Sequence, residues 1–204
     1  NFDPNQNYYL FNNNNTTPLV FIHGVGLDQT MWNPQLNYFK NETTLTYDLL
    51  GHGKTPLKNN NLSMKNFTDQ LYSLIKSLGI NKFNLVGFSI GSLIAIEFAS
   101  KYHNFLKSLT LIATTYKRNE VERQRVIDRV NLAKENKSIS DLAMKRWFTD
   151  DYLTKNPNLI KNLKRQLEKQ GDDHVNFIKA YSLFANYRED IKIINSIPTK
   201  TLVI

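Results

Sequence analysis

The stretch from Phe83 to Tyr102 decides the fold, and it reads FNLVGFSIGSLIAIEFASKY. Its beginning, up to Val86, is short and apolar, which is typical of a buried strand. From Ile90 onward the apolar residues recur at the spacing of a helix. The stretch therefore predicts a strand, a sharp turn centred on Ser89, and a helix.

The turn has the pattern Gly-x-Ser-x-Gly, formed here by Gly87, Ser89 and Gly91. A sharp strand-to-helix turn strains the backbone of its central residue, and side chains two positions to either side would collide. The hydroxyl of Ser89 would then stand at the start of a helix, where free amides and the helix dipole stabilise negative charge. We predict that Ser89 is a nucleophile; the alternative is that it only caps the helix.

Outward from this stretch, apolar strands alternate with helical segments. We predict strands at 8–11, 19–22, 44–48, 83–86 and 106–113, and helices at 33–40, 64–78 and 90–102. This alternation indicates an α/β fold with a mainly parallel sheet flanked by helices.

The pattern changes after residue 116. No strand-like run appears between residues 117 and 190, and helical segments are predicted at 119–136, 141–148, 158–170 and 173–184. We interpret 1–116 as the first part of a core, 117–190 as a helical lid insertion over the site, and 191–204 as a return to the core in a buried strand. Because the sequence starts without Met and stops inside that strand, we expect it to be a fragment, truncated at its C-terminus and at its N-terminus.

Composition excludes several classes of protein. The net charge is +8, from 26 Lys and Arg against 18 Asp and Glu, but the basic residues are interspersed with acidic ones, which disfavours a nucleic-acid partner. The absence of Cys excludes disulfides and thiolate chemistry. No apolar run approaches the ~18 residues of a membrane span, and no phosphate-binding loop or His spacing implies a metal or other cofactor. A cytoplasmic protein is the default expectation, and no oligomeric state is indicated.

A glycine turn follows the second predicted strand at His23-Gly24-Val25-Gly26. Such a turn can bring backbone N–H groups to one point, so we predict an oxyanion hole formed by the N–H groups of Val25 and Ile90. The alternative is a plain turn at a strand end. Asp48 precedes a second glycine turn, Gly51-His52-Gly53. We expect its carboxylate to bind backbone amides there rather than to take part in catalysis.

In combination, these motifs resemble the α/β-hydrolase superfamily, and within it the branch of 3-oxoadipate enol-lactonases and related esterases. The resemblance is carried by the two glycine turns, the serine turn and parts of the insertion, namely 23–26, 31–32, 47–55, 87–91, 146–149 and 184–186. Ser92 departs from it, because many members have Gly there. The resemblance implies a Ser–acid–His triad whose acid and His, with the last strand and helix of the fold, lie beyond Ile204.

The four His of the sequence do not replace that base. His23 and His52 belong to the glycine turns, His103 lies at the far end of the helix that follows Ser89, and His174 lies in the insertion. No acid follows the strand that ends at 113 until Glu120. The triad acid and base are therefore expected to be absent, and the 204 residues alone to be inactive or nearly so.

The sequence thus predicts a cofactor-independent serine hydrolase of small carboxylic esters or lactones that works through an acyl-enzyme. A carbon–carbon bond hydrolase, a thioesterase and a haloperoxidase-type activity remain open, as does a non-catalytic small-ligand-binding protein on the same fold. Candidate pocket residues are apolar or aromatic, with one Arg: Met31, Trp32, Phe88, Arg146, Trp147, Phe148 and Phe184. Arg146 is the candidate for binding a substrate carboxylate by paired hydrogen bonds.

Overall fold

The computed structural model describes residues 1–58, 61–135, 139–169, 171–188 and 190–204. These residues form two compact units. The first consists of 1–117 together with 188–204, and the second of 118–187.

The first unit contains a six-stranded sheet in its described residues. The strands, in chain order, are β1 (Tyr9–Asn12), β2 (Leu19–Ile22), β3 (Thr44–Tyr47), β4 (Phe83–Phe88), β5 (Leu106–Ile112) and β6 (Thr201–Val203). Their spatial order is β1-β3-β2-β4-β5-β6; β1 runs antiparallel to β3, and every other pair is parallel. The predicted α/β fold with a mainly parallel sheet is confirmed.

The order of the strands indicates where a ligand-binding crevice is expected. The chain passes from β2 to β3 on one side and then returns to add β4 on the other side of β2. In open parallel sheets the crevice forms at the carboxyl ends of the two strands where this reversal occurs. These are the ends of β2 and β4, which carry the glycine turn and the serine turn.

Three helices of this unit are α1 (Asn33–Tyr38), α2 (Met64–Ser77) and α3 (Ile90–Tyr102). Helix α2 begins at a capping box, in which Ser63 and Asn66 each bind the other's backbone amide, and Gly79 follows it with a φ of +66°. Helix α3 is buried over most of its length, from Ile90 to Ala99 apart from Glu97. An apolar helix of this kind packs inside the domain rather than on its surface.

The described residues of the second unit contain helices and no strands. The helices are α4 (Glu120–Lys134), α5 (Ser140–Trp147), α6 (Asp150–Lys155), α7 (Pro157–Leu167) and α8 (Gly171–Asn186). Pro157 occupies the first turn of α7, where its missing N–H costs nothing. Arg118 and Arg123 both donate to the carbonyl of Tyr187, just beyond the end of α8, where positive charge is favourable.

The structure corrects two expectations about elements. The final strand, predicted to be buried, is exposed: Leu202 is 56% and Val203 is 62% exposed. The reason is that β6 is an edge strand that pairs with β5 alone among the described strands. Two short helices were also not predicted, α6 and α9 (Ile191–Asn195). None of the helices in the described ranges has the length and apolar character needed to cross a membrane.

Candidate active site

Ser89 lies between β4 and α3 with a φ of +55° and a ψ of −118°. Non-glycine residues rarely adopt this conformation, and it stores strain. The two flanking glycines leave no space for a side chain: a Cβ on Gly87 would lie 2.3 Å from the carbonyl oxygen of Gly91, and one on Gly91 would lie 2.6 Å from that of Ile22. The sharp turn therefore requires glycine at both positions.

The hydroxyl of Ser89 does not cap α3, because it makes no hydrogen bond to the first turn of that helix. The backbone carbonyl of Ser89 accepts hydrogen bonds from the backbone N–H and from the hydroxyl of Ser92. Ser92 is fully buried, and its hydroxyl gives this chain a contact that a glycine at that position would lack. The geometry thus disfavours the capping role, and Ser89 as a residue is half-exposed.

The first glycine turn packs directly against the serine turn. Leu27 donates its N–H to the carbonyl of Gly24, and Gly26 has a φ of +78°. A Cβ on Gly24 would lie 2.8 Å from Cδ1 of Phe88 and 3.6 Å from Cβ of Ser89. The absence of a side chain at Gly24 therefore brings the two turns into contact.

The two predicted oxyanion donors have no acceptor among the described residues. Ile90 is the first residue of α3, so its N–H has no partner within the helix. Val25 lies in the turn next to Ser89 and is half-exposed. Both N–H groups are available for a developing oxyanion, and their role stays a prediction.

His23 is buried and joins two loops. Its Nδ1 lies 2.8 Å from the carbonyl oxygen of Gly24, and its Nε2 accepts the N–H of Leu49 at 2.9 Å. Since Nε2 is an acceptor, the proton is on Nδ1, which donates to Gly24. That carbonyl belongs to the same planar peptide group as the N–H of Val25. His23 therefore fixes the direction in which the Val25 N–H points.

Asp48 has the structural role predicted for it. Its buried carboxylate accepts the N–H of Gln29 at 2.9 Å and the N–H of Lys54 at 2.7 Å. Burial raises the pKa of the Asp48 carboxyl, and the two amide hydrogen bonds oppose that rise. A Cβ on Gly53 would lie 2.2 Å from Oδ2 of Asp48, so the close approach of this turn depends on glycine.

Sequence reasoning did not find the contribution of Gln70. Its side-chain amide donates to the carbonyl of Asp48 and to Oδ1 of Asn7, and its Oε1 accepts the N–H of Leu50. Asn7 in turn donates to Asp3 at 2.8 Å. This buried chain of hydrogen bonds holds the second glycine turn, and no spacing in the sequence links Gln70 to either partner.

The other His residues lie elsewhere. His52 has its Nδ1 3.1 Å from the carbonyl of Leu50 and its ring 5.3 Å from that of His23. His103 begins a short 3-10 turn at the far end of α3, and Nε2 of His174 lies 3.0 Å from the carbonyl of Ala133. In the part of the chain that the structure describes, no His hydrogen-bonds the Ser89 hydroxyl.

The predicted pocket residues of the first unit divide into two kinds. Trp32 is buried, with its ring 5.1 Å from that of Phe21. Met31 and Phe88 are half-exposed, and Phe88 contacts the glycine turn next to Ser89. Of these three residues, Phe88 lies beside Ser89.

The remaining candidates belong to the second unit. Arg146 and Trp147 are exposed, and the guanidinium lies 5.9 Å from the Trp147 ring. Phe148 stacks on Tyr152, and Phe184 is 9% exposed beneath the guanidinium of Arg118. Their place in a substrate pocket, and the lid role of this unit, stay predictions.

Known proteins match this arrangement of motifs. A family described as alpha/beta hydrolase fold matches residues 17–162, which is more than half of the chain. The chain belongs to the α/β-hydrolase family.

Two curated α/β-hydrolase relatives come from Acinetobacter baylyi. One, an (E)-2-((N-methylformamido)methylene)succinate hydrolase, is 28% identical over 89% of this chain and 68% of its own length. The other, 3-oxoadipate enol-lactonase 1, is 28% identical over 91% of this chain and 69% of its own length.

Solved structures share the fold of this α/β hydrolase. The enol-lactonase of Burkholderia xenovorans superposes with a TM-score of 0.83 and 22% identity, over 97% of this chain and 76% of that one. A thermophilic esterase of Thermogutta terrifontis, solved with malate bound, has a TM-score of 0.81 and 24% identity, over 98% of this chain and 75% of that one.

Proposed function

We propose that this α/β hydrolase cleaves small carboxylic esters or lactones, with Ser89 as the nucleophile and an acyl-enzyme as the intermediate. The observation that carries the proposal is the strained turn at Ser89, with a φ of +55° and a hydroxyl that makes no capping hydrogen bond. Strain of this kind persists where the surrounding structure enforces it, and it is concentrated at functional sites.

The geometry of the two turns supports an acyl-transfer reaction in two stages. The Ser89 hydroxyl attacks the carbonyl carbon of the substrate and gives up its proton to a base. The carbonyl oxygen becomes an oxyanion held by the N–H groups of Val25 and Ile90. When the tetrahedral intermediate collapses, the alcohol or enol oxygen leaves with a proton. Water then attacks the acyl-enzyme, which releases the acid and restores the hydroxyl of Ser89.

The name of one relative supports this class of substrate, because it is an enol-lactonase that is similar to 91% of this chain. The other relative is named for a succinate that carries an N-methylformamido group, which is an amide, so its name supports only hydrolysis of a small carboxylate-bearing molecule. The fold is shared with an esterase as well. A thioester or a carbon–carbon bond next to a carbonyl would use the same nucleophile and oxyanion donors.

We further propose that the 204 residues alone have little activity. A serine hydroxyl is a weak nucleophile unless a base removes its proton. Two of the four His residues hold the glycine turns by hydrogen bonds to backbone groups, and the other two lie at the far end of α3 and in the second unit. A base supplied from solution would replace the missing group.

Chemical rescue by imidazole tests this proposal. We expect hydrolysis of p-nitrophenyl acetate and of a small lactone to be close to background in plain buffer. With molar imidazole we expect the rate to rise at least about tenfold over that of the Ser89→Ala variant in the same solution, since general-base catalysis contributes roughly 10²- to 10⁴-fold. Comparison with Ser89→Ala removes the reaction of imidazole itself.

Ser100→Ala is the matched control, because Ser100 also lies in α3 and its hydroxyl donates to the carbonyl of Glu97, within the same helix. This variant should be rescued like the parent chain. Equal rates for the parent and Ser89→Ala at every imidazole concentration would contradict the proposal.

A non-catalytic ligand-binding protein is the second candidate. The observation in its favour is that none of the His residues that the structure describes has a hydrogen bond to the Ser89 hydroxyl. The same experiment separates the two, because a binding protein would not gain Ser89-dependent hydrolysis when imidazole is added.

A further inference from the structure

The first unit contains a polar cavity with a volume of about 310 Å³. It is lined by the segment before β1 (1–8), which we call the N-terminal arm, by the loop after β3 and by α2. The volume lies at the lower end of the roughly 300–1,000 Å³ that is usual for small-molecule sites. None of the described residues that line it belongs to the serine turn or to the first glycine turn, so the cavity is separate from the proposed catalytic site.

Two buried amide side chains form a fixed wall of this cavity. Asn7 is 2% and Gln70 is 5% exposed, and the Gln70 amide donates to Oδ1 of Asn7 at 3.0 Å. Other hydrogen bonds hold the same two side chains: Asn7 donates to Asp3 at 2.8 Å, and Oε1 of Gln70 accepts the N–H of Leu50 at 3.1 Å. The polar wall therefore has its shape before a ligand arrives, which lowers the cost of binding.

The N-terminal arm is tied to α2 at the cavity. Nδ2 of Asn5 donates to the Ser73 hydroxyl at 2.7 Å, and both residues line the cavity. This contact and the one between Asn7 and Gln70 join residues that are 68 and 63 positions apart in the sequence. Between the two Asn residues, Gln6 has a φ of +67°, which is uncommon for a residue other than glycine. The arm thus follows a defined path along the cavity.

Several polar atoms of the lining keep unused hydrogen-bond capacity. The Ser73 hydroxyl accepts from Asn5, but its own proton has no acceptor among the described residues. Oδ1 of Asn5 has no donor there, and Nδ2 of Asn66 has no acceptor, although Oδ1 of Asn66 accepts from Ser63. Amides and hydroxyls are both donors and acceptors. The lining therefore offers donors and acceptors side by side.

The charges around the cavity favour a neutral ligand. One cation, Lys58, and one acid, Asp69, are among the described lining residues, and Asp69 also pairs with Lys65. A bound anion would be repelled by the Asp69 carboxylate, and a bound cation by the two lysines. A neutral molecule meets neither repulsion.

The remaining lining favours an aliphatic ligand over an aromatic one. Leu50, Pro56 and Leu57 give the cavity an apolar side. No aromatic ring is among the lining residues that the structure describes, so a flat aromatic ligand would have no ring to stack on. A monosaccharide or another polyol has hydroxyl groups that both donate and accept, on a skeleton of carbon atoms. Such a molecule matches an amide and hydroxyl lining with one apolar side.

We propose that this cavity binds a small, neutral, polyhydroxylated molecule, a monosaccharide or a polyol of that size. The ligand's hydroxyl groups bind Asn5, Asn66 and Ser73, and its carbon atoms contact the apolar side. The site goes beyond the proposed hydrolysis, because it uses neither Ser89 nor the oxyanion donors.

Nuclear magnetic resonance of the 204-residue chain, labelled with nitrogen-15, tests the site. We expect titration with D-glucose or with glycerol to shift the side-chain amide signals of Asn5, Asn66 and Gln70 saturably. For D-glucose the Kd should be on the order of 1 mM, as expected for a ligand of about a dozen non-hydrogen atoms. Cyclohexanol has a ring of the same size with a single hydroxyl, and it should give no saturable shift of these signals.

Two variants remove single hydrogen-bonding groups from the lining. Asn5→Ala and Ser73→Ala should each raise the Kd about threefold to tenfold, which is the usual effect of losing one neutral hydrogen bond. Ser77→Ala is the matched control, because Ser77 lies in the same helix, is not among the lining residues, and donates to the carbonyl of Leu74. Its Kd should stay within about twofold of the parent.

Three results would each overturn the proposal: no saturation with either polyol, equal shifts with cyclohexanol, or equal weakening in Ser73→Ala and Ser77→Ala. The circular dichroism spectrum of each variant should match that of the parent, so that a loss of binding is not a loss of folding. Ser89→Ala should bind the polyol as the parent does. Failed imidazole rescue with intact polyol binding would remove the proposed catalysis alone, and the reverse result would remove this site alone.

Discussion

At Gly91 the backbone of α3 approaches β2 so closely that even a methyl group has no room. A Cβ there would lie 2.6 Å from the carbonyl oxygen of Ile22 and 2.8 Å from that of His23. Real Cβ atoms do not approach backbone oxygens this closely, so one of the two elements must move. Either movement would change the position of Ser89, which lies two residues before Gly91.

We therefore predict that Gly91→Ala lowers both the free energy of unfolding and the rescue of hydrolysis by imidazole. Forcing an extra carbon into a packed interior typically costs about 1–3 kcal/mol. Gly79→Ala is the control. Gly79 has a φ of +66°, and no atom lies within 4 Å of the position that a Cβ would take. This substitution therefore adds backbone strain without a steric clash, at a cost of about 1–2 kcal/mol.

Urea unfolding and the rescue assay measure the two effects. Gly79→Ala should lose stability but keep the imidazole-dependent rate. A Gly91→Ala protein with full rescue would show that the turn tolerates a side chain and that its shape does not govern reactivity.

For single residues, the sequence predicted the roles that depend on neighbours close in the chain. The strained Ser89, the need for Gly87 and Gly91 and the amide-binding role of Asp48 all follow from the turns in which they lie. The hydrogen bond from the Leu49 N–H to His23 and the bridge through Gln70 join residues distant in sequence, and no local pattern indicates them.

Among the elements, β3 contains an unusual buried group. Tyr47 is fully buried, and its hydroxyl has no hydrogen-bond partner among the described residues. Burial raises the pKa of Tyr47 far above its usual range. A buried hydroxyl without a partner typically costs roughly 1–3 kcal/mol, so it destabilises the strand that contains it.

We predict that Tyr47→Phe raises the free energy of unfolding by about 1 kcal/mol at pH 7, since it removes that hydroxyl and keeps the ring. The pH dependence should change as well. Above the ordinary pKa of about 10, only the unfolded chain loses the Tyr47 proton, so the free energy of unfolding falls as the pH rises. Tyr47→Phe should reduce that fall by about 1.4 kcal/mol per pH unit above pH 10.

Tyr38→Phe is the control, because Tyr38 is 82% exposed. It should change neither the stability at pH 7 nor the alkaline slope. Denaturant titrations between pH 7 and 11 measure both quantities, and a destabilised Tyr47→Phe protein would show that the hydroxyl has a stabilising partner.

Long, buried elements were predicted more accurately than short or exposed ones. Helix α3 was predicted with the bounds that the structure has, because its apolar residues and the turn before it are both diagnostic. Helices α6 and α9 have six and five residues, too few for a periodic pattern. The burial of β6 was predicted wrongly, since apolar composition cannot tell a central strand from an edge strand.

At the scale of the 204-residue chain, the outermost strand on one side of the sheet is β6, and most of its side chains are apolar. The side chains of Leu202, Val203 and Ile204 are 56%, 62% and 68% exposed. An exposed apolar edge strand is a template for pairing with another chain. The net charge of +8 opposes association, but its Lys and Arg residues are spread over the sequence rather than gathered at this edge.

We predict that the 204-residue chain associates with itself as its concentration rises, and that Val203→Lys suppresses this. A charge on an edge strand disfavours pairing with a second edge. Sedimentation velocity over a range of concentrations measures the effect. Tyr38→Lys, on α1, is the control, because it adds the same charge at another exposed site and should leave the association unchanged. If both variants suppress association equally, net charge rather than the edge strand is the cause.

The most direct test of the central claim is to locate the reactive residue. The chain is incubated with a fluorophosphonate in the presence of imidazole, digested, and mapped by mass spectrometry. We expect one phosphonylated peptide, modified at Ser89 and absent from the Ser89→Ala variant, with fluoride as the leaving group. A chain that stays unmodified, or a label on another residue that persists in Ser89→Ala, would contradict it.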